Sequence, residues 1–224
     1  RVWSALYQQN PTPDEGIYFT KDLFKYGKFE RRKEYYVYQA WDFAITEKNI
    51  SDWTVCATLM QTPDDDIILV DVHRFRSNDG IAIVEAILDN YERWQADDVG
   101  FEDGQIWKSL TTLFTRRCQE RRLYPSYRVL TPITDKMVRA GPLKGRMQMG
   151  KFYIQHGAKW GKDWEMELLH FPGGRHDDQV DATAWATRVA LEHQPPRLPA
   201  QQRLKSWKDK LHLIGVGGGS HMCA

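Results

Sequence analysis

Cysteine is scarce in this chain, and its spacing is not that of a paired site. The only cysteines are Cys56, Cys118 and Cys223, and no two of them form a Cys-x-x-Cys motif. An odd number without such spacing indicates neither a disulfide framework nor a structural zinc site, and it favours a reducing compartment. Cys56 lies within the apolar run WTVCATLM, where we expect a small buried side chain.

Long apolar runs and nucleotide-binding glycine motifs are also missing. No run approaches the roughly 20 apolar residues that a membrane span needs, and the first residues, RVWSALYQQNPTP, lack the order of a secretory signal. We therefore expect a soluble, non-secreted protein with no membrane partner. No GxxxxGK(S/T) or GxGxxG motif indicates an NTPase motor, and the histidines lack HExxH spacing.

The charges are balanced in total but unevenly distributed. The chain has 224 residues, is 42% hydrophobic and carries a net charge of +1, values that suit one globular domain. Between residues 115 and 162, however, a series of Lys and Arg residues is opposed only by Glu120 and Asp135. This stretch is either ordinary solvated surface or a face that binds phosphates. For the second interpretation, the DNA-binding candidates are Arg128, Lys136, Arg139, Lys144 and Arg146.

Hydrophobic periodicity predicts an α/β fold. Alternating apolar runs predict strands at 35–46, 53–61, 67–75, 99–103, 126–132 and 151–155. Helical spacing predicts helices at 81–94, with Asp79 as its N-cap, at 104–122 and at 176–193. A helix starting at Asp135 is expected to be interrupted at Gly141 and Pro142, and 164–172 is ambiguous.

This order of elements is that of an RNase H-like domain. It places three antiparallel strands before parallel βαβ units, in a mixed sheet flanked by helices. We predict a linker leading into the domain at 1–34, the domain itself at 35–195, and a C-terminal tail at 196–224. The tail ends in GGGSHMCA, whose Gly-Ser-His-Met run is typical of a cloning remnant, and we assign it no function.

Two acidic residues of predicted strands lie at positions that indicate a functional site. Asp42 lies in QAWDFAI, where a carboxylate among apolar neighbours is costly unless a cation compensates its charge. The alternative is that Asp42 faces solvent on an alternating strand. Glu102 closes the strand VGFED, and ligands of open α/β sheets gather at the carboxyl ends of strands. The adjacent Asp103 is better explained as a helix cap.

A third acidic cluster begins the last predicted helix. Asp178 and Asp181 are three residues apart and so project from one helical face, while Asp177 and His176 precede them. Acids in a first turn are also favoured by the helix dipole alone. Together with Asp42 and Glu102, these carboxylates could hold two Mg²⁺ or Mn²⁺ ions, as in two-metal phosphodiester hydrolysis. His176 could orient the acids or serve only in capping.

Several motifs resemble the C-terminal nuclease domain of the large terminase subunits of tailed bacteriophages. The most specific is FP followed by HDDxVDA, and the resemblance extends from about Ser4 to His193. The other matching segments are ALYQQNPTPDEGIYF, WDFAITEKNISDWTV, ILVDVHRF, VGFEDGQIWKSL and DKMVRAGPLKGRMQMGKFYI.

The resemblance implies an RNase H-like endonuclease that cuts concatemeric viral double-stranded DNA during genome packaging, with little sequence specificity. It implies catalytic roles for Asp42, Glu102 and Asp178, with Asp181 as a further metal ligand and Asp177 left open. The DxxD pair formed by Asp178 and Asp181 also resembles that of RuvC-type resolvases. The implied partners are an N-terminal ATPase domain, a small terminase subunit and the portal, in the cytoplasm of an infected bacterium.

Two alternatives belong to different classes. A RuvC-type junction resolvase or transposase-like nuclease would share the fold and the acids, and it would prefer a four-way junction to linear duplex. A non-catalytic DNA-docking module of the packaging machine would retain the basic stretch, while its acids would have lost their function.

Overall fold

A seven-stranded mixed sheet forms the centre of the protein in a computed structural model that describes residues 18–44, 53–131 and 135–197. The strands lie in the order β1-β7-β4-β3-β2-β5-β6. Their bounds are β1 Tyr26–Gly27, β2 Tyr36–Asp42, β3 Thr54–Gln61, β4 Ile67–Phe75, β5 Asp98–Glu102, β6 Tyr127–Leu130 and β7 Phe152–Gln155.

Six of these strands run in the same direction. Only β3 is antiparallel to its neighbours, β2 and β4, and every other pairing is parallel. The carboxyl ends of β1, β2, β4, β5, β6 and β7 therefore share one side of the sheet, which we call the carboxyl edge. The predicted α/β class, with three antiparallel strands followed by parallel units, is confirmed.

Five α-helices within the described residues cover the sheet. They are α1 Gly80–Trp94, α2 Gln105–Arg121, α3 Lys136–Gln148, α4 Gly161–His170 and α5 Asp178–Leu191, and a short 3-10 helix spans Lys21–Leu23. Asp79 caps α1 as predicted, because its carboxylate accepts a hydrogen bond from Ile81 N at 2.9 Å. None of the described helices is both long and apolar enough to span a membrane.

The alternation of strand side chains builds a separate core on each face of the sheet. One core packs the sheet against α3, α4 and α5, and the other packs it against α1 and α2. Tyr38 and Ala40 of β2 point to the α5 side, whereas Val37 and Trp41 point to the α1 side. Asp42 continues the first series, so its carboxylate belongs to the α5 side.

The predicted interruption of the helix at Gly141 and Pro142 is wrong, because α3 continues through both residues. Pro142 lacks the N–H that would bond the carbonyl of Val138. Val138 is exposed, so water can hydrate this carbonyl and the missing hydrogen bond leaves no buried polar group unsatisfied. Asp135 caps the start of the helix through bonds from Met137 N and Val138 N.

Residues before Tyr35 contribute to the folded unit. Phe19 is fully buried in the α5-side core, and Tyr26 of β1 pairs with Ile154 of β7. The ambiguous stretch at 164–172 falls mainly in α4. Residues 1–17 and 198–224 lie outside the described residues, and the predicted domain boundaries remain predictions.

Candidate active site

Asp42 and Glu102 lie side by side at the carboxyl edge. β2 and β5 are parallel neighbours in which Trp41 is the partner of Phe101, so the next residues of the two strands are adjacent. Both side chains line the same cavity. Residues 60 positions apart in the chain thus form one pair because the sheet places β5 directly beside β2.

The first turn of α5 adds Asp178 and Asp181 to this pair. The helix lies across β2, β3 and β5, and Gly100 of β5 permits its close approach. A Cβ at Gly100 would lie 2.9 Å from Val189 Cγ2 of α5, closer than real Cβ contacts allow. Asp178 and Asp181 share one helical face, as their spacing predicts.

The four carboxyl groups interact electrostatically at Asp42. Burial raises the pKa of Asp42 well above its ordinary value, and the negative charges of Glu102, Asp181 and Asp178 raise this pKa further. Full ionisation of such a buried cluster is unfavourable without a cation nearby. The arrangement therefore requires either a bound proton or a positive partner.

Helix α3 supplies positive partners for the acids of α5. The guanidinium of Arg139 binds both carboxylate oxygens of Asp181, and Nε donates to Oδ1 at 3.1 Å. Burial raises the pKa of Asp181 to about 6, while Arg139 opposes this rise. Lys136, one turn earlier on α3, forms an ion pair with Asp177. Both α3 side chains, predicted as DNA contacts, therefore contact the acids at the start of α5.

A cavity of about 350 Å³ opens over these groups, and Asp42, Glu102, Arg139 and Asp181 all line it. One wall is aromatic. Phe43 stacks on Trp107 with ring centroids 6.1 Å apart, and Trp107 stacks on Phe101 at 3.9 Å. The remaining lining comes from the turn between β5 and α2, namely Asp103, Gly104, Gln105 and Ile106.

Two residues that the sequence reasoning missed hold the acidic side chains in position. Trp185 Nε1 donates a hydrogen bond to Glu102 Oε2 at 3.3 Å. Glu167 of α4 accepts hydrogen bonds from Gln179 N at 2.6 Å and from Val180 N at 3.2 Å, so it anchors the first turn of α5. Helical spacing could have revealed Trp185, because positions 178, 181 and 185 share a face; no comparable signal marks Glu167.

The other predicted DNA-binding residues are dispersed. Arg128 Nε donates to Asp98 Oδ2 at 2.6 Å at the start of β5, and Arg146 Nη1 donates to Asp65 Oδ2 at 2.7 Å before β4. Both contacts lie opposite the carboxyl edge. Lys144 lies over the Tyr18 ring, with Nζ 4.1 Å from its centroid. The basic stretch of the sequence therefore does not form one continuous face with the acids.

The donor chemistry of the cavity suits a hard divalent cation. Asp42, Glu102 and Asp181 line the cavity, and Asp178 lies in the same turn of α5 as Asp181 without lining it. All four offer only carboxylate oxygens, which Mg²⁺ and Mn²⁺ prefer. Within 18–44, 53–131 and 135–197, however, no three acidic, histidine or cysteine side chains form a ready metal-binding group. The guanidinium of Arg139 already provides a positive charge at Asp181. His176 Nδ1 lies 3.9 Å from Asp178 Oδ2, beside the cluster.

Comparison with known proteins identifies the family of this chain. The sequence profile of the Terminase RNaseH-like domain matches residues 39–188. No curated protein matches the sequence. The large terminase nuclease of thermophilic phage G20c with bound cobalt is 16% identical, with a TM-score of 0.58 over 79% of this chain and 98% of that one.

Two further solved structures share the fold. The same nuclease with bound magnesium is 16% identical, with a TM-score of 0.54 over 79% of this chain and 98% of that one. The large terminase of another thermophilic bacteriophage, in complex with ADP, is 12% identical, with a TM-score of 0.57 over 80% of this chain and 46% of that one. The predicted RNase H-like fold and the resemblance to terminase nucleases are confirmed, and the chain belongs to the Terminase RNaseH-like domain family.

Proposed function

We propose that this domain is an endonuclease that hydrolyses phosphodiester bonds of double-stranded DNA with the help of divalent cations. The observation that carries the proposal is the pairing of Asp42 with Glu102 on adjacent parallel strands, under the first turn of α5. Membership of the terminase family supports the choice of a nucleic-acid backbone as substrate.

We assign the cations to Asp42, Glu102, Asp178 and Asp181. In this assignment Asp42 is the ligand shared between Glu102 of β5 and the two acids of α5. The bound magnesium and cobalt in the G20c nuclease support a divalent metal. Two Mg²⁺ or Mn²⁺ ions, when bound, would supply an acidified water and charge stabilisation for the phosphate oxygens. Asp42 is suited to the central position, because burial and then the charges of all three other acids raise its pKa.

The residues around the acids have complementary roles in this proposal. The stacked rings of Phe43 and Trp107 restrict water on one side of the cavity. Trp185 fixes the orientation of Glu102, and Glu167 fixes the start of α5. Arg139 is the cation within the cavity and can exchange its carboxylate partner for a phosphate, since both are bidentate acceptors.

The biological setting of the proposal is genome packaging. We propose that the domain cuts concatemeric viral DNA with little sequence specificity in the cytoplasm of an infected bacterium. This chain corresponds to about half of the large terminase whose structure contains ADP. That relation supports an ATPase domain as a partner in the full-length protein, and we extend the proposal to the small terminase subunit and the portal.

The direct test is cleavage of supercoiled plasmid in Mg²⁺ or Mn²⁺. We expect nicked and linear products that disappear with EDTA and in Asp42→Asn. Asp64→Asn is the matched control, because this exposed acid lies in the turn between β3 and β4, opposite the carboxyl edge. Cleavage that persists both in EDTA and in Asp42→Asn would contradict the proposal.

The substrate range separates the alternatives. Preferential cutting of a four-way junction over linear duplex would assign a resolvase-like activity. DNA that is bound but stays intact with either metal would assign a docking module.

A further inference from the structure

Trp53, Arg74 and Arg76 form an aromatic and basic cluster at the carboxyl edge, which we call the Trp53 patch. Arg74 Cζ lies 4.7 Å from the centroid of the Trp53 ring, and Arg76 Cζ lies 3.9 Å from it. Trp53 itself is partly buried against the α5-side core. The indole is therefore a fixed platform that orders two guanidinium groups.

The strand register places this patch close to the acids. Asp42 of β2 is the partner of Val55 of β3, and Val55 is the partner of Arg74 of β4, so the three residues form one row. Two strand spacings separate Asp42 from Arg74, roughly 10 Å between backbones. Antiparallel pairing puts Asp42 and Arg74 on the same face as Val55, so the acids and the patch share one surface.

The guanidinium groups of the patch are available to an anion. Arg76 is exposed and forms no ion pair with any residue that the structure describes. Arg74 pairs with Asp163 of α4, whose side chain is 56% exposed, so a phosphate can replace this weakly held partner. Stacking occupies the planar face of a guanidinium and leaves its N–H edge free for two hydrogen bonds to one phosphate.

Basic residues elsewhere contrast with the patch. Arg128 and Arg146 are engaged by carboxylates away from the carboxyl edge, and Arg121 binds three acids of α1. Their positive charge is largely neutralised within the fold. Arg76 combines exposure with a fixed aromatic support, and it lies two residues beyond Arg74, which is in the row of Asp42.

We propose that the Trp53 patch binds backbone phosphates of the DNA strand that is cut, within a few nucleotides of the scissile bond. The proposal rests on the proposed nuclease function. A separation of roughly 10 Å is about three base-pair rises of 3.4 Å along the axis of a duplex, so the patch can reach a phosphate within a few nucleotides of the acids. Because the partner is the phosphate backbone, the contact carries no base preference.

DNA binding without cleavage tests the patch separately from catalysis. Fluorescence anisotropy with short labelled duplexes of several sequences, in EDTA and over a series of salt concentrations, would compare the wild type with Arg76→Ala. We expect an affinity loss of about tenfold for every sequence. The slope of log affinity against log salt should fall by about 1.

Two further variants make the result specific. Arg116→Ala removes another exposed arginine, from α2 on the opposite side of the sheet, and should leave both affinity and salt slope unchanged. Arg76→Lys keeps the charge but loses the planar fork, so it should weaken binding while preserving the salt slope. Equal melting temperatures would exclude unfolding as the cause.

The outcomes distinguish this inference from the proposed function. A wild-type salt slope in Arg76→Ala, or an equal loss in Arg116→Ala, would overturn the patch even if the protein cuts plasmid. Conversely, the expected binding defects in a protein that cuts no DNA would retain phosphate binding by the patch, but they would reject the nuclease proposal and with it the position beside a scissile bond.

Discussion

Arg139 and Asp181 form a two-point ion pair in which each side chain is only 10% exposed. The guanidinium binds both oxygens of a carboxylate that we assign to a metal ion. On this assignment, a metal ion bound at Asp181 would replace one positive partner by another. The affinity for metal would then depend on a residue that need not be a ligand.

Replacement of Arg139 by Gln should strengthen metal binding while weakening the metal-free protein. The loss of a buried ion-pair partner should cost roughly 3 kcal/mol of unfolding free energy without metal. At pH 8, added Mn²⁺ should then raise the melting temperature of Arg139→Gln more than that of the wild type, because Asp181 needs a new cation. Differential scanning calorimetry and titration calorimetry would measure both effects.

Arg188→Gln is the matched control for that experiment. Both arginines lie over the Trp185 ring, with Cζ 5.7 Å from its centroid in Arg139 and 5.5 Å in Arg188. Arg188, however, pairs with Glu192 and not with an acid of the cavity. Its metal-induced stabilisation should equal that of the wild type. The same stabilisation in Arg139→Gln would refute the competition between Arg139 and metal.

The stability of the metal-free protein should depend on the protonation of Asp181. Its pKa is raised from 3.8 to about 6, first by burial, so the folded state favours the protonated acid. The resulting stability is fully present below pH 3.8 and is lost as the pH rises through 6. One such group contributes a slope of at most about 1.4 kcal/mol per pH unit.

Urea unfolding between pH 4 and 7 would measure this slope. Asp181→Asn should remove this contribution, so that stability falls less, or rises more, with increasing pH than in the wild type, whereas Asp64→Asn should not change the slope. Asp181→Asn also removes the partner of Arg139, so the comparison is made between the slopes and not between the absolute stabilities. Identical slopes in all three proteins would contradict the assigned pKa.

Glu167 should control the acids of α5 without touching the cavity. Glu167→Ala removes the acceptor of the Gln179 and Val180 backbone N–H groups, which should cost about 1 to 2 kcal/mol and loosen the start of α5. We expect weaker Mn²⁺ binding by calorimetry, and partial recovery in Glu167→Gln, whose side chain retains an oxygen acceptor. Glu165→Ala, on the same helix, should leave Mn²⁺ affinity unchanged.

Trp185→Phe should distinguish the role of Trp185 in orienting Glu102 from its role in packing. The substitution removes the hydrogen bond to Glu102 and keeps an aromatic ring, with an expected loss of about 1 kcal/mol. Trp164→Phe removes a comparable bond to Thr183 in the core, 2.9 Å long. Both variants should have a lower melting temperature than the wild type, but only Trp185→Phe should bind Mn²⁺ more weakly. Equal metal affinities would reduce Trp185 to a packing residue.

The sequence predicted the acids better than it predicted their partners. Asp42 and Glu102 were identifiable because a carboxylate inside an apolar strand, or at its carboxyl end, can be recognised from the sequence alone. The shared face of Asp178 and Asp181 follows from helical spacing. Pairing of Arg128 with Asp98 and of Arg146 with Asp65 depends on which strands and turns meet, and local charge does not carry that information.

The continuity of α3 was missed for a related reason. Pro142 costs a helix less where the freed carbonyl can be hydrated, and the exposure of Val138 is a property of the folded protein. The Trp53 patch was equally hidden, because Trp53 and Arg76 meet only through the antiparallel pairing of β3 with β4.

The position of α5 as the last described helix has a consequence during translation. A ribosome-bound chain that has emerged only as far as α4 contains Asp42 and Glu102, but it lacks Asp178, Asp181 and the helix that closes one core. Such a chain has neither a complete acid cluster nor a finished fold. Chemical competence should therefore arise together with final folding, which would keep immature chains from damaging nucleic acid near the site of synthesis.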